Sequence, residues 1–256
     1  MEIEKIYIDS RDRITGSSSN FKIKLPRICK INNSSYISID NVNIPYVINT
    51  IDEGHNKLYI RQTDMIGGIE ATLNFTLTLT TGYYSGASLV NEININILLT
   101  PNLNLICEFK SNTNSILFKS TSERHLLSFK IDKDLPDGHG SINYIIHNAT
   151  YKFIDNITGW NTGFLDLHKV KNIYIHSNIL TNSNVITSHG DSNVIMKCAI
   201  NCPYGNQILY NSATGDWLPC LSIPDLCEID FYITDGKGVE INMHNMEWSF
   251  SIIFKK

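Results

Sequence analysis

The stretch Leu73-Asn74-Phe75-Thr76-Leu77-Thr78-Leu79-Thr80 alternates apolar and polar residues without a break. A strand turns successive side chains to opposite faces. The pattern therefore predicts a strand with Leu73, Phe75, Leu77 and Leu79 on one face and Asn and Thr on the other. The same period recurs in residues 3–8, 21–25, 36–39 and 57–61. It returns at 103–109, 116–118, 126–131, 170–176, 193–200, 207–210, 227–234, 239–242 and 247–254. Half-buried strands of this kind belong to antiparallel sheets with one wet face.

One segment breaks the period. Leu89, Ile93 and Ile97 recur every four residues after the turn-like Gly82-Tyr83-Tyr84-Ser85-Gly86, which predicts one amphipathic helix over 85–99, stopped before Pro101. Residues 132–165 read as loop, with Gly and Asp clustered at 134–140 and Gly159-Trp160-Asn161-Thr162-Gly163 further on. Asp235-Gly236-Lys237-Gly238 between two alternating runs is a hairpin signal. Composition agrees. The chain holds 39 Ile, which favours strands, and 29 Asn, which favours turns. No repeat, low-complexity tract or linker divides the 256 residues, so the expectation is one all-β sandwich or barrel domain spanning 1–256.

Charge and hydropathy exclude several classes. The net charge of -4 offers no basic face for a phosphate backbone, so strong nucleic-acid binding is not expected. No run reaches the roughly 18 apolar residues of a membrane-spanning helix. The opening Met1-Glu2-Ile3-Glu4-Lys5 lacks the basic and apolar regions of a signal peptide, so secretion by that route is not expected. Cys29, Cys107, Cys198, Cys202, Cys220 and Cys227 then read as reduced thiols, and the sequons at Asn33, Asn74, Asn148 and Asn156 as unused.

Catalytic templates are missing: no G-x-S-x-G, G-x-x-x-x-G-K-[ST], H-E-x-x-H or G-x-G-x-x-G occurs, and the 8 histidines are scattered. No enzyme, cofactor or metal is expected. Asp132-Lys133-Asp134-Leu135-Pro136-Asp137-Gly138 resembles a calcium loop, but proline holds the fifth position and glycine the seventh, so a solvated turn is the simpler reading. Cys198 and Cys202 sit four apart on one strand face, without the C-x-x-C spacing of structural zinc sites, and read as small buried hydrophobes. Trp160, between two glycines, is either an exposed contact anchor or, more simply, a plug of its loop against the sandwich. Trp248 reads as a strand residue packing on a neighbour, placed on the polar side with Phe250 and Ile252 beside it.

The order of several blocks resembles the penton, or vertex, capsid proteins of Polinton-like viruses, virophages and related eukaryotic double-stranded DNA viruses. The first block is Ile6-Tyr7-Ile8-Asp9-Ser10-Arg11-Asp12-Arg13, followed by a Ser-rich turn and Phe21-Lys22-Ile23-Lys24-Leu25-Pro26. Next come Ile44-Pro45-Tyr46 and the run into Gly82-Tyr83-Tyr84-Ser85. The C-terminal part matches through Ser177-Asn178-Ile179-Leu180, Pro203-Tyr204-Gly205, Asp235-Gly236 and Trp248. The family-like positions are thus Tyr7, Asp9, Ser10, Asp12, Arg13, Leu25, Pro26, Pro45, Gly82, Tyr84, Ser177, Pro203, Gly205, Asp235, Gly236 and Trp248. The resemblance spans 1–99 and 170–256 and is loose between.

It implies a single jelly roll, with the surplus length as long loops or a small insertion within 100–165. It also implies a structural virion protein: a homopentamer at the five-fold vertices of an icosahedral shell, contacting the major capsid protein of the same virus. No host receptor is legible. Two other classes remain open. One is a carbohydrate- or receptor-binding β-sandwich with Tyr83, Tyr84 and Trp160 as an exposed aromatic row. The other is a β-sandwich hydrolase.

Overall fold

A computed structural model describes residues 3–32, 34–66, 69–123, 125–135, 140–148, 153–180, 185–187, 190–211, 217–220 and 223–255. The chain divides into two compact units, one made of 1–48 with 170–256 and the other of 49–169. Each has its own apolar core.

The first unit is built on eight main strands. In chain order they are β1 (Ile3–Asp9), β2 (Asn20–Ile31), β3 (Tyr36–Pro45), β4 (Asn172–His176), β5 (Val194–Ala199), β6 (Gln207–Asn211), β7 (Ile223–Thr234) and β8 (Ser249–Lys255). One sheet runs β1-β8-β3-β6 and the other β5-β4-β7-β2, every pairing antiparallel. Consecutive strands repeatedly change sheets, which is the double Greek-key wiring of a jelly roll. Short strands extend both sheets: Leu218–Pro219 on β3, and Arg13–Gly16 on β2.

Alternation dictates which side chains meet between the sheets. In β2 the burial alternates residue by residue through Phe21, Ile23 and Leu25. In β8, Phe250, Ile252 and Phe254 are all buried. Aromatic rings fill the centre: Phe231 meets Phe250 edge-on at 4.8 Å, and Trp248 stacks on Phe250 at 4.9 Å. This corrects the placement of Trp248. It shares parity with Phe250 and Ile252, so it faces the core, with only 2% of its surface exposed.

The second unit enters the chain between β3 and β4. It begins at Asn49, well before the 100–165 window expected for an insertion. One of its sheets contains the long hairpin Lys57–Ile66 with Ile69–Thr78, flanked by His125–Phe129 and Phe153–Ile154. The other has Leu105–Lys110, Ser115–Ser120 and Trp160–Asn161 in that order. The helix α1 (Gly86–Leu98) matches its expectation, with Leu89, Val90, Ile93 and Ile97 buried. Its first turn is closed by a capping box in which Ser85 and Ser88 bond each other's backbone N–H.

Leu73 and Leu77 share a face of one strand as expected, Leu77 buried and Leu73 43% exposed, because alternation assigns a face without supplying a cover. Two expectations need correction here. Residues 132–165 are not simply loop. Asp132–Asp134 forms a 3-10 turn, Asn143–Ile146 a single helical turn, and two strand pairings follow. Ile142, Ile145, Ile146, Ile154 and Leu165 from this stretch all enter the core. Finally, residues 239–242 do not form a strand; a lone bridge joins Thr234 to Glu240. No helix among the described residues is long and apolar enough to cross a membrane.

Candidate functional site

The family-like positions fall at corners, turns and strand ends. The first corner follows β1. Asp9 accepts from the backbone N–H of Arg11 at 2.9 Å and from its guanidinium at 2.9 and 2.5 Å, which holds the Asp9 carboxyl below its ordinary range. The chain turns through Ser10 and Asp12 in one 3-10 turn. Arg13 then donates from Nη1 to both Glu247 oxygens at 2.8 and 2.9 Å, and to the Ser10 carbonyl at 2.8 Å. The Ser10 hydroxyl donates to Glu247 and accepts from the Trp248 N–H at 3.0 Å. Burial alone would raise the Glu247 carboxyl, but the bonds from Ser10 and Arg13 outweigh it and lower it. The Trp248 indole donates to the Ser18 carbonyl at 2.7 Å. This latch joins the chain's first corner to its last strand. Glu247 is the member that sequence reasoning missed, because its partner Arg13 stands 234 positions away. Tyr7, by contrast, is 75% exposed on β1.

A second network closes the far side of the other sheet. After β4, Ser177 Oγ and the N–H groups of Asn178 and Ile179 all donate to the Asp230 carboxylate, at 3.2, 3.1 and 3.0 Å. The Ser177 hydroxyl also caps Leu180 N–H at 3.2 Å. His176 stacks on Tyr232 with ring centres 4.6 Å apart, and its nitrogens bond Asn193 at 3.0 Å and Thr234 at 2.8 Å. Burial pushes the His176 pKa down, against the opposing effect of Asn193.

The remaining positions shape backbone. Leu25 is buried, and at Pro26 the pairing of β2 with β7 slips: Lys24 faces Glu228, but the next pair is Cys29 with Leu226. A residue without an N–H suits such a break. Pro45 ends β3, and Tyr46 bonds back to the Pro203-Tyr204-Gly205-Asn206 turn, where Gly205 has φ +83°. Asp235 Oδ1 accepts from Lys237 and Val239 N–H at 2.8 and 2.9 Å, fixing the turn through Gly236. In the second unit, Gly82 bridges to Ile51, and the Tyr84 hydroxyl donates to the Thr80 carbonyl at 2.7 Å.

Trp160 is not a free anchor. It is only partly exposed, stacks on Phe118 at 5.8 Å and meets Phe129 edge-on at 5.5 Å. Tyr84 is likewise only partly exposed, and Tyr83 is exposed. Cys202 lies beyond the end of β5, not on one strand face with Cys198. Burial pushes the thiols of Cys107, Cys198 and Cys220 up to about 12. Asp132 accepts from Ser141 and Asn143, both at 2.8 Å, while residues 136–139 of the calcium-like stretch lie outside the described residues. Among the described residues no group of three or more His, Cys, Asp or Glu converges as metal ligands.

In the second unit, Asp52 bonds His55 at 2.9 Å and pairs with Lys169, whose ammonium lies over the Tyr144 ring. The Tyr144 hydroxyl is spent on the Thr50 carbonyl at 2.7 Å. These contacts tie residues 50–55 to Tyr144 and Lys169. In the latch, the Asp230 turn and the Asp235 turn alike, polar side chains bond backbone groups.

No protein-family model matches the chain, and no curated protein is similar to it. Solved structures do match. The crystal structure of the selenomethionine-labelled mavirus penton protein has a TM-score of 0.58 at 9% identity, covering 100% of this chain and 99% of that one. In fold, from end to end, the chain is similar to a virophage penton protein.

Proposed function

We propose that this chain is a structural capsid protein, a penton that forms homopentamers at the five-fold vertices of an icosahedral shell and abuts the major capsid protein. The observation that carries the reading is the likeness over 100% of the chain, jelly roll and inserted unit together. A generic β-sandwich domain would be matched over its sandwich alone. The commitment of polar side chains to latches and turns supports a role in assembly over catalysis. A ring of this kind is a head-to-tail contact whose rotation closes, which avoids open filaments.

The test is the mass and shape of the purified protein across a wide concentration range, followed by its detection in virus particles. Five-fold rings in negative stain, and the protein in purified virions, are expected. A strictly monomeric protein absent from particles would overturn the reading.

A further inference from the structure

Of the six most exposed large apolar side chains among the described residues, five belong to the second unit: Leu98 at 85%, Ile157 at 77%, Leu99 at 76%, Phe164 at 70% and Phe153 at 68%. They are not scattered. Leu98 and Leu99 end α1, beside the edge strand Leu105–Lys110 of the three-stranded sheet. Ile157 and Phe164 flank Trp160–Asn161, the opposite edge of that sheet, whereas Phe153 lies on the edge strand Phe153–Ile154 of the four-stranded sheet.

The α1 side is a groove. An open depression of about 590 Å³ is floored by apolar side chains such as Ile97, Leu98, Leu105 and Ile106, with uncharged Asn94, Thr100, Asn102 and Thr121 also lining it and no charged side chain among them. Its rim is rigid: buried Gln62 donates to the Asn102 carbonyl at 3.1 Å and accepts from Asn104 N–H at 2.9 Å. The edge strand beside it is closed to a further strand at its middle. Asn94 Nδ2 donates to the Cys107 carbonyl at 2.9 Å, and Asn94 Oδ1 accepts from the Cys107 N–H at 3.2 Å. An occupant must therefore enter with apolar side chains, not with backbone.

The opposite edge carries a knob of that description. Between Phe153–Ile154 and Trp160–Asn161 the chain turns around Asp155. Its Oδ1 accepts from the N–H groups of Ile157, Thr158 and Gly159 at 2.8, 2.6 and 3.1 Å. Gly159 holds φ +65°, and a Cβ there would lie 2.3 Å from the Phe118 carbonyl oxygen. Ile157 is thus presented on a turn with little freedom left to lose on binding. Knob and groove also sit at one level of the sheet. Ser120 bonds Asp155 on one side of the central strand, while Lys119 pairs with Ile106 on the other.

A groove and a matching knob on opposite edges of one sheet form a heterologous pair. We propose that Ile157 seats in the α1 groove of the next copy of this chain, so that the second unit supplies a contact between neighbours in a closed ring. This rests on the reading of the protein as a self-assembling penton and names a surface for that assembly.

The test uses the full chain and two exposed-site variants, Ile157→Asp for the knob and Leu98→Asp with Leu99→Asp for the groove. Wild-type protein is expected to form rings. Each variant should melt like wild type and show association weakened at least about tenfold, the scale of removing one buried aliphatic side chain from a contact. An equimolar mixture of the two should form 1:1 dimers, because one intact knob and one intact groove remain. Rings that persist in both variants would overturn this inference and leave the penton reading standing. Wild-type protein that stays monomeric at high micromolar concentration would overturn both.

Discussion

The two units satisfy their buried backbone by different means. In the jelly roll, long strands pair along most of their length, and polar side chains gather at the ends in the Arg13–Ser10–Glu247 latch and the Asp230 turn. In the second unit, several amide side chains work inside the structure as stand-ins for a missing strand. Asn94 pairs with both backbone groups of Cys107, Gln62 bridges Asn102 and Asn104, and Asn143 donates to the Lys130 carbonyl at 3.0 Å. Buried N–H and C=O groups must find partners, and where regular pairing stops an Asn or Gln supplies both a donor and an acceptor. The many asparagines of this chain are thus structural parts as well as turn formers.

The largest effects should come from the two aromatic centres. Trp248→Ala is expected to cost the jelly roll about 3–5 kcal/mol, and Phe118→Ala to cost the second unit a similar amount, measured by denaturant unfolding. Hydrogen exchange then breaks or upholds the division. Phe118→Ala should speed exchange within 49–169 first, and uniform acceleration over the whole chain would show one cooperative core.

Next in size is the amide substitution. Gln62→Leu keeps bulk but leaves the Asn104 N–H and Asn102 carbonyl without this partner, at an expected cost of about 1–3 kcal/mol. No measurable loss would remove the contrast between the units.

A smaller effect separates them by pH. The His176 pKa is lowered in the folded protein, chiefly by burial, so the unfolded chain binds its proton more readily. Stability from this site is therefore present above the ordinary value of 6.5 and is lost as pH falls through it towards the folded pKa. His176→Gln should flatten the dependence of the melting temperature on pH in that window, and an unchanged slope would assign it to other groups. Smallest of all, and without cost to folding, is thiol labelling. Alkylation of the native protein at neutral pH should mark exposed Cys227 ahead of Cys107, Cys198 and Cys220, whose thiols burial holds near 12.

Much of the jelly roll is legible from alternation, because its strands are long enough to show a period of two and its faces differ in polarity. β2 reads correctly residue by residue through Leu25. The helix is legible too, since the four-residue spacing of Leu89, Ile93 and Ile97 lies between a turn-like stretch and Pro101. The 132–165 stretch is not, because Asn143–Ile146 is one turn and Phe153–Ile154 two residues, too short to display any period. Polar latches escape for another reason: Arg13 and Glu247 meet only after the sandwich closes, and neither carries a local mark of the other. The apolar surface at Leu98, Leu99 and Ile157 is equally silent, since exposed and buried leucines are the same letters.

The wiring of the first unit has a consequence for how the molecule is made. Ile3 pairs with Lys255 and Phe21 with Phe231, whereas residues 49–169 form one uninterrupted run with a core of its own. On the ribosome, that run is available to fold while the N-terminal strands still wait for partners not yet synthesised. Until β7 and β8 emerge, the first strands are open edges at risk of pairing with a neighbouring nascent chain. Stalled translation near residue 220 should leave a folded second unit carried on an unfinished, aggregation-prone sandwich, so the jelly roll can close only once β7 and β8 have emerged.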